Sequence, residues 1–266
     1  MARFISQVHR FFLPPDLAIG DVLTLSAEES HHAANVLRVR IGEAAIVLDG
    51  AGKELRGGIE SITKRAVAIR VHERFCHPRR AVELHLAVAL LKGPAWDVVM
   101  EKATELGAAV IQPLAAERSI PRIASKETSP KRAGWRATTI AAAKQCGTPW
   151  LPRLSNPLSP EAWLSSWGHT GPRLDLLLVA SLESGTRSIR AAMAEFFARH
   201  GRRPQSVAVV VGPEGDFTPA EYGKFREFGA MPFTLGPLVL RADTAVVAAL
   251  AIAGAEFSSL PLESEP

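Results

Sequence analysis

A chain of 266 residues, 47% hydrophobic and 22% charged, is long enough for one large or two modest domains and excludes disordered and fibrous classes. The longest uncharged apolar run, Ala245 to Ala255, falls well short of the roughly 20 residues of a spanning helix, and no apolar leader opens the chain, so a cytoplasmic protein with no membrane partner is expected. The formal net charge of +4 is mild and points only weakly toward an anionic partner.

Up to about residue 75, short apolar stretches alternate with turn signals: Phe11 to Leu13 before Pro14-Pro15, Val22 to Leu25, Ala44 to Leu48 before Asp49-Gly50, and Ala66 to Val71, with Gly57-Gly58 between. This spacing predicts a small β-barrel or sandwich. One helix interrupts it, because Ser26 with Glu29 three residues on is a capping-box pattern, followed by His31, His32, Ala33, Val36 and Leu37. The two adjacent histidines fall on different sides of that helix with no third ligand, so no metal is expected. Cys76-His77-Pro78-Arg79-Arg80 marks a boundary, giving domains 1–76 and 77–266. Cys76 and Cys146 have neither a CxxC nor a histidine partner and read as ordinary thiols.

Beyond the boundary the rhythm becomes strand, helix, strand, helix. Val82 to Leu91 reads as a buried strand, and Trp96, Val99, Met100 and Ala103 follow at helical spacing until Gly107. Val110 to Leu114 is the next strand, and Ser129-Pro130 opens a helix that runs to Cys146. Strands are expected at Leu174 to Ala180, Val207 to Val211 and Met231 to Leu235, with helices over about 187–199, 219–228 and 244–257. Five strands alternating with helices imply an α/β fold with a mostly parallel sheet covered on both faces.

Between Glu117 and Arg153 eight basic residues stand against two acidic ones, among them Arg118 and Arg136. The run reads either as a solvated helix face with a loop or as a footprint for a phosphate backbone. The strand Val207 to Val211 runs into Gly212-Pro213-Glu214-Gly215-Asp216-Phe217, then Thr218-Pro219-Ala220-Glu221, a capped helix start. Such a loop lies at the carboxyl edge of the sheet, where open α/β folds bind ligands, and it matches neither the Walker nor the GxGxxG pattern. A second turn, Leu235-Gly236-Pro237, leads to Arg241-Ala242-Asp243-Thr244 and an alanine-rich helix with Asp243 or Thr244 as N-cap. The segment reads as a strand, a turn and a helix start, which leaves Arg241 open: beside this edge it could face an anionic substrate.

The phrases HHAANVLRVRIGE, LLKGPAWDVVMEKATELGA, AAKQCGTPWLP, VVVGPEGDFTPAE and LGPLVLRADTAVVAAL together resemble those of the bacterial enzymes that methylate N3 of a uridine in 16S ribosomal RNA, a branch of the SPOUT methyltransferases. The resemblance runs in one order from Arg10 to about Ala249. It implies a PUA-like N-terminal β-barrel, a C-terminal trefoil knot, S-adenosyl-L-methionine as cofactor, the small ribosomal subunit as partner and a homodimer paired through the knots. It places the cofactor against Ala180, Ser181 and Leu182, the loop Gly212, Pro213, Glu214 and Gly215, and Leu235, Gly236 and Leu240. By the same resemblance Arg10, Asn35 and Arg38 contact RNA, with Arg118 and Arg136 added from the basic run. Lys144, Thr148 and Leu238 depart from the family phrases, and Asp243 replaces a common glutamate there.

The implied reaction is an in-line displacement in which uracil N3 attacks the methyl group of a sulfonium. Arg241 is expected to stabilise the anion that develops on the uracil oxygens, and Asp243 is the one candidate general base. The target uridine must be unstacked or single-stranded for its N3 edge to be reached. The alternatives are a non-catalytic RNA-binding protein, a SPOUT enzyme acting on another RNA, and a nucleotide-dependent transferase.

Overall fold

The fold is that of a computed structural model, in which residues 8–123, 125–167, 174–183 and 185–258 are described. They divide into two compact units. The first runs to Arg79 and includes Ile140–Leu151, and the second comprises Arg80–Thr139 and the chain from Pro152 on.

In the first unit β1 (His9–Phe12), β2 (Val22–Thr24), β3 (Ala44–Leu48), β4 (Lys53–Ile62) and β5 (Val67–Cys76) form one sheet in the order β1-β3-β4-β5-β2. Its pairs are antiparallel except β1 with β3. Phe11, Leu23, Val47, Leu55 and Ile69 belong to one apolar cluster, and the alternation is clear in β2, where Val22 and Thr24 are exposed on either side of Leu23, whereas Phe12, Leu48 and Glu54 are buried as well. Gly57-Gly58 does not separate strands as the sequence suggested but lies within β4. Gly57 packs so closely on the Arg70 carbonyl that a side chain has no room there, and the register shifts at Arg56/Gly57.

The interrupting helix is present with two differences. α1 (Ala27–His31) passes directly into a π-helical turn, His32–Leu37, which Arg38 ends in the left-handed region at φ 54°. Ser26 Oγ accepts the Glu29 N–H at 3.2 Å, but the Glu29 carboxylate pairs with Lys144 at 2.6 Å in place of closing the box.

The second unit holds a six-stranded parallel sheet, β6 (Glu83–Ala89), β7 (Val110–Leu114), β8 (Arg153–Leu154), β9 (Leu176–Ala180), β10 (Ser206–Val211) and β11 (Met231–Phe233), in the order β11-β9-β10-β6-β7-β8. The helices are α2 (Gly93–Glu105), α3 (Ser125–Cys146, in the second unit through Thr139), α4 (Pro160–Ser166), α5 (Ile189–His200), α6 (Pro219–Glu227) and α7 (Ala242–Ser258). Leu86, Leu178 and Val209 face the core shared with α2, α5 and α7, whereas Ala87, Val179 and Val210 face the one shared with α4 and α6. This burial on both faces explains why β9 and β10 read as apolar runs, and each Leu or Val so buried contributes roughly 1.5–3 kcal/mol.

Three expectations need correction. α3 starts at Ser125, so Pro130 lies inside it, where its missing N–H removes a single backbone bond near the helix start. The two-residue β8 and the short α4, capped by Ser159 with Pro160 behind it, were not expected. α7 starts at Ala242 and the Arg241 carbonyl accepts the Ala245 N–H at 2.8 Å, so Arg241 holds the N-cap position and Asp243 lies in the first turn.

Candidate functional site

Three strands of the second unit, β9, β10 and β11, end side by side, and the segments that follow them enclose one cavity of about 310 Å³. After β9, Ala180, Ser181 and Leu182 line it. The Ser181 N–H donates to the Phe233 carbonyl at 3.0 Å, which joins this segment to the end of β11, and its hydroxyl accepts the Glu183 N–H at 3.1 Å.

After β10, Gly212, Pro213, Glu214 and Asp216 line the cavity, while Gly215 does not. The turn closes with the Asp216 N–H on the Pro213 carbonyl at 2.9 Å, and Asp216 adopts φ 59°, a left-handed conformation that Asp and Asn tolerate better than most residues. Gly212 suits this crowded turn, because a Cβ would sit 3.2 Å from the Phe217 ring and 3.3 Å from Asp216 Oδ1 and push these side chains by a few tenths of an ångström. Thr218 then caps α6 in a complete box: Glu221 Oε2 accepts the Thr218 N–H at 2.8 Å and Thr218 Oγ1 accepts the Glu221 N–H at 3.3 Å.

After β11, Leu235, Gly236, Leu240 and Arg241 complete the lining. Thr234 Oγ1 accepts the Gly236 N–H at 3.1 Å, and Gly236 has φ 118°, open to glycine and strained for other residues. Leu238 and Val239, also in the lining, are 74% and 78% exposed. Arg241 is exposed, with its Nη2 3.4 Å from Asp243 Oδ2, and Asp243 is outside the lining.

Two residues brace these segments, and neither role was read from the sequence. Tyr222, on α6, donates its hydroxyl to Asp216 Oδ1 at 2.7 Å and lies 3.2 Å from the Ala180 carbonyl, so it latches the segments after β9 and β10. Burial, and then the Asp216 carboxylate, push this phenol far above its ordinary pKa, so the donor hydrogen stays in place. The available signal was the chain's one tyrosine, four residues past the N-cap of the helix that follows a glycine loop. Arg118, expected from charge alone to meet RNA, donates from Nη1 to the Gly215 carbonyl at 2.8 Å and so braces the same loop, while Glu221 Oε1 accepts the neighbouring Glu117 N–H at 2.9 Å.

The remaining predicted residues lie elsewhere. Arg10 donates from Nη1 to the Lys144 and Gln145 carbonyls at 3.4 and 3.2 Å, at the C-terminal end of α3 where a cation is favoured. Asn35 donates to the His31 carbonyl at 3.2 Å within the π-helical segment, and Arg38 follows it, both exposed. Arg136 is exposed on α3. Among the described residues no group of three or more His, Cys, Asp or Glu is placed to hold a metal, and no helix is long and apolar enough to cross a membrane.

The cavity suits an adenosine-type cofactor in its chemistry. Its lining residues are largely apolar, polar side chains come from Ser181, Glu214, Asp216, Thr234 and Arg241, and its size lies within the range of small-molecule sites.

Comparison with known proteins agrees with this architecture. A family model described as an RNA methyltransferase domain matches residues 78–254, and one described as an RNA methyltransferase PUA domain matches residues 25–71. Proteins named ribosomal RNA small subunit methyltransferase E are 30% identical in both Synechocystis, over 92% of this chain and 77% of that protein, and Bacillus subtilis, over 85% and 87%. A Legionella pneumophila methyltransferase solved with S-adenosylmethionine superposes with a TM-score of 0.81 at 30% identity, covering 94% of this chain and 98% of that one. The ribosomal RNA small subunit methyltransferase E of Neisseria gonorrhoeae, also bound to S-adenosylmethionine, gives 0.77 at 26% identity, covering 92% and 95%.

Proposed function

The chain belongs to the RNA methyltransferase family, with an N-terminal PUA domain, and from that membership we propose that it methylates N3 of a uridine in the 16S ribosomal RNA of the small ribosomal subunit. The observation that carries this reading is the convergence of three strand-end segments on one cavity whose rim holds Arg241.

When bound, S-adenosyl-L-methionine supplies an electrophilic methyl group. Backbone groups of the segments Ala180 to Leu182, Gly212 to Glu214, and Leu235 to Leu240 would hold it, with Gly212 and Gly236 permitting close approach. The exposed Arg241 guanidinium faces the developing uracil anion, a role of positioning and electrostatics. Asp243 orients Arg241 and adds negative charge at the start of α7, where it is favoured, so it serves better as a partner than as a base.

RNA docking in the first unit falls to Asn35 and Arg38, with Arg10 ordering the end of α3 close by. In the second unit it falls to Arg136 and to Arg118. Leu182, Leu238 and Val239, all in the cavity lining, remain largely exposed, and a second copy of the chain covers them in a homodimer with its C-terminal segments threaded as a knot. The substrate places the enzyme in the cytoplasm.

The test incubates the protein and S-adenosylmethionine with small subunits that lack the modification, followed by mass spectrometry of the digested RNA. The expected product is 3-methyluridine. A different methylated nucleoside moves the target, and none at all defeats the reading. Sedimentation velocity tests the dimer, which a monomer at micromolar concentration would exclude.

A further inference from the structure

The charges around the cavity are unevenly distributed. Among its lining residues the ionisable groups are Glu214, Asp216 and Arg241, and Arg241 is paired with Asp243. Glu214 is exposed, so water screens its field. Asp216 is half-buried, and both the Tyr222 hydroxyl, at 2.7 Å, and the Phe217 N–H, at 2.8 Å, donate to its Oδ1. A carboxylate held this firmly at the wall presents a fixed negative charge to whatever enters.

We infer that Asp216, latched by Tyr222, makes the cavity select a cationic ligand over a neutral one of the same shape, and so favours S-adenosylmethionine over S-adenosylhomocysteine. This rests on the cofactor reading above. The two molecules share adenosine and the amino-acid end and differ by one methyl group and one positive charge. Apolar walls and backbone hydrogen bonds hold both about equally, and a fixed carboxylate does not. The consequence is that the spent cofactor is held less tightly than the fresh one, which limits product inhibition.

The backbone supports a clean test. Asn tolerates the left-handed conformation at position 216 and keeps an oxygen to accept from Tyr222 and Phe217, so Asp216→Asn removes the charge and spares the geometry. Tyr222→Phe does the reverse, leaving the charge and releasing the latch.

The protein is titrated calorimetrically with each ligand separately, with melting curves to verify folding. For Asp216→Asn the Kd for S-adenosylmethionine should rise roughly fivefold while that for S-adenosylhomocysteine moves by less than about twofold. For Tyr222→Phe both should rise by a similar factor. In the wild type S-adenosylmethionine should bind more tightly than S-adenosylhomocysteine. Equal changes for both ligands in Asp216→Asn, or a wild type that binds the two equally, would overturn the inference and leave the cofactor reading standing. Should Asp216→Asn not fold, the wild-type comparison decides alone. A wild-type protein that binds neither ligand removes the cofactor reading and this inference with it.

Discussion

Lys144 Nζ lies 2.6 Å from Glu29 Oε1, an ion pair whose side chains are only 21% and 11% exposed. Glu29 Oε2 is buried without a hydrogen-bond partner among the described residues, so the lysine is the chief compensation for that charge. Lys144, which stands out against the phrases that the sequence resembles, thus has a structural partner within the first unit. Lys144→Ala should cost about 3 kcal/mol, because it strands a largely buried carboxylate, whereas Lys144→Met with Glu29→Gln should recover most of the loss. Urea unfolding of the three proteins checks this, and a single variant as stable as the wild type would contradict it.

Arg241→Ala should lower kcat by roughly a hundredfold, the scale found when one preorganised donor to a developing anion is removed. Melting temperature and S-adenosylmethionine affinity should hardly change, since the side chain is 79% exposed and its ion pair with Asp243 is weak. Arg241→Lys should recover part of the rate. Single-turnover methylation of small subunits measures the effect, and a wild-type rate for the alanine variant would remove Arg241 from the chemistry.

Arg118→Ala should weaken cofactor binding about threefold even without RNA, because the bond from Nη1 to the Gly215 carbonyl is charge-assisted yet exposed. If Arg118 also meets a phosphate, the slope of log RNA affinity against log salt should fall by about one. A change in the salt slope with cofactor affinity intact would assign the residue to RNA alone.

Asp175 is held down to about 2 by the Arg202 guanidinium, with the Gln205 and Ser206 contacts adding to it. Its folded pKa lies below the ordinary carboxylate value, so its contribution to stability is present at neutral pH. That contribution fades as pH falls from about 4 toward 2. Asp175→Asn should therefore lower the melting temperature clearly at pH 7 and by much less at pH 2, where the folded-state carboxylate is about half protonated. An equal deficit at both pH values would show that packing, not charge, is what the carboxylate supplies.

The strands and helices of the second unit were legible because both faces of its sheet are buried, which turns each strand into a run such as Val207 to Val211 that no loop resembles. Caps at Thr218-Pro219 and the turn at Gly236 were equally local and equally readable. The signal for α4, Ser159-Pro160-Glu161, is of the same kind, though the helix it opens is only seven residues long. The π-helical turn at His32–Leu37 and the start of α3 ahead of Pro130 were not legible, since both depend on packing and not on local preference. The same holds for the contacts that organise the site. Tyr222 meets Ala180 across 42 positions, Arg118 meets Gly215 across 97, and Lys144 meets Glu29 across 115. No periodicity links such residues, so composition alone assigned Arg118 to RNA and gave Tyr222 no role.

Tyr222 is the only tyrosine in the chain, and it is the residue that latches two of the three segments around the cavity. The molecule therefore carries its own optical reporter. Tyrosinate absorbance in the ultraviolet comes from this phenol alone, and the phenol ionises far above its ordinary pKa for as long as the latch is closed. Alkaline titration followed at that band reads the opening of the site without any label. A ligand that tightens the cavity would appear as a later onset.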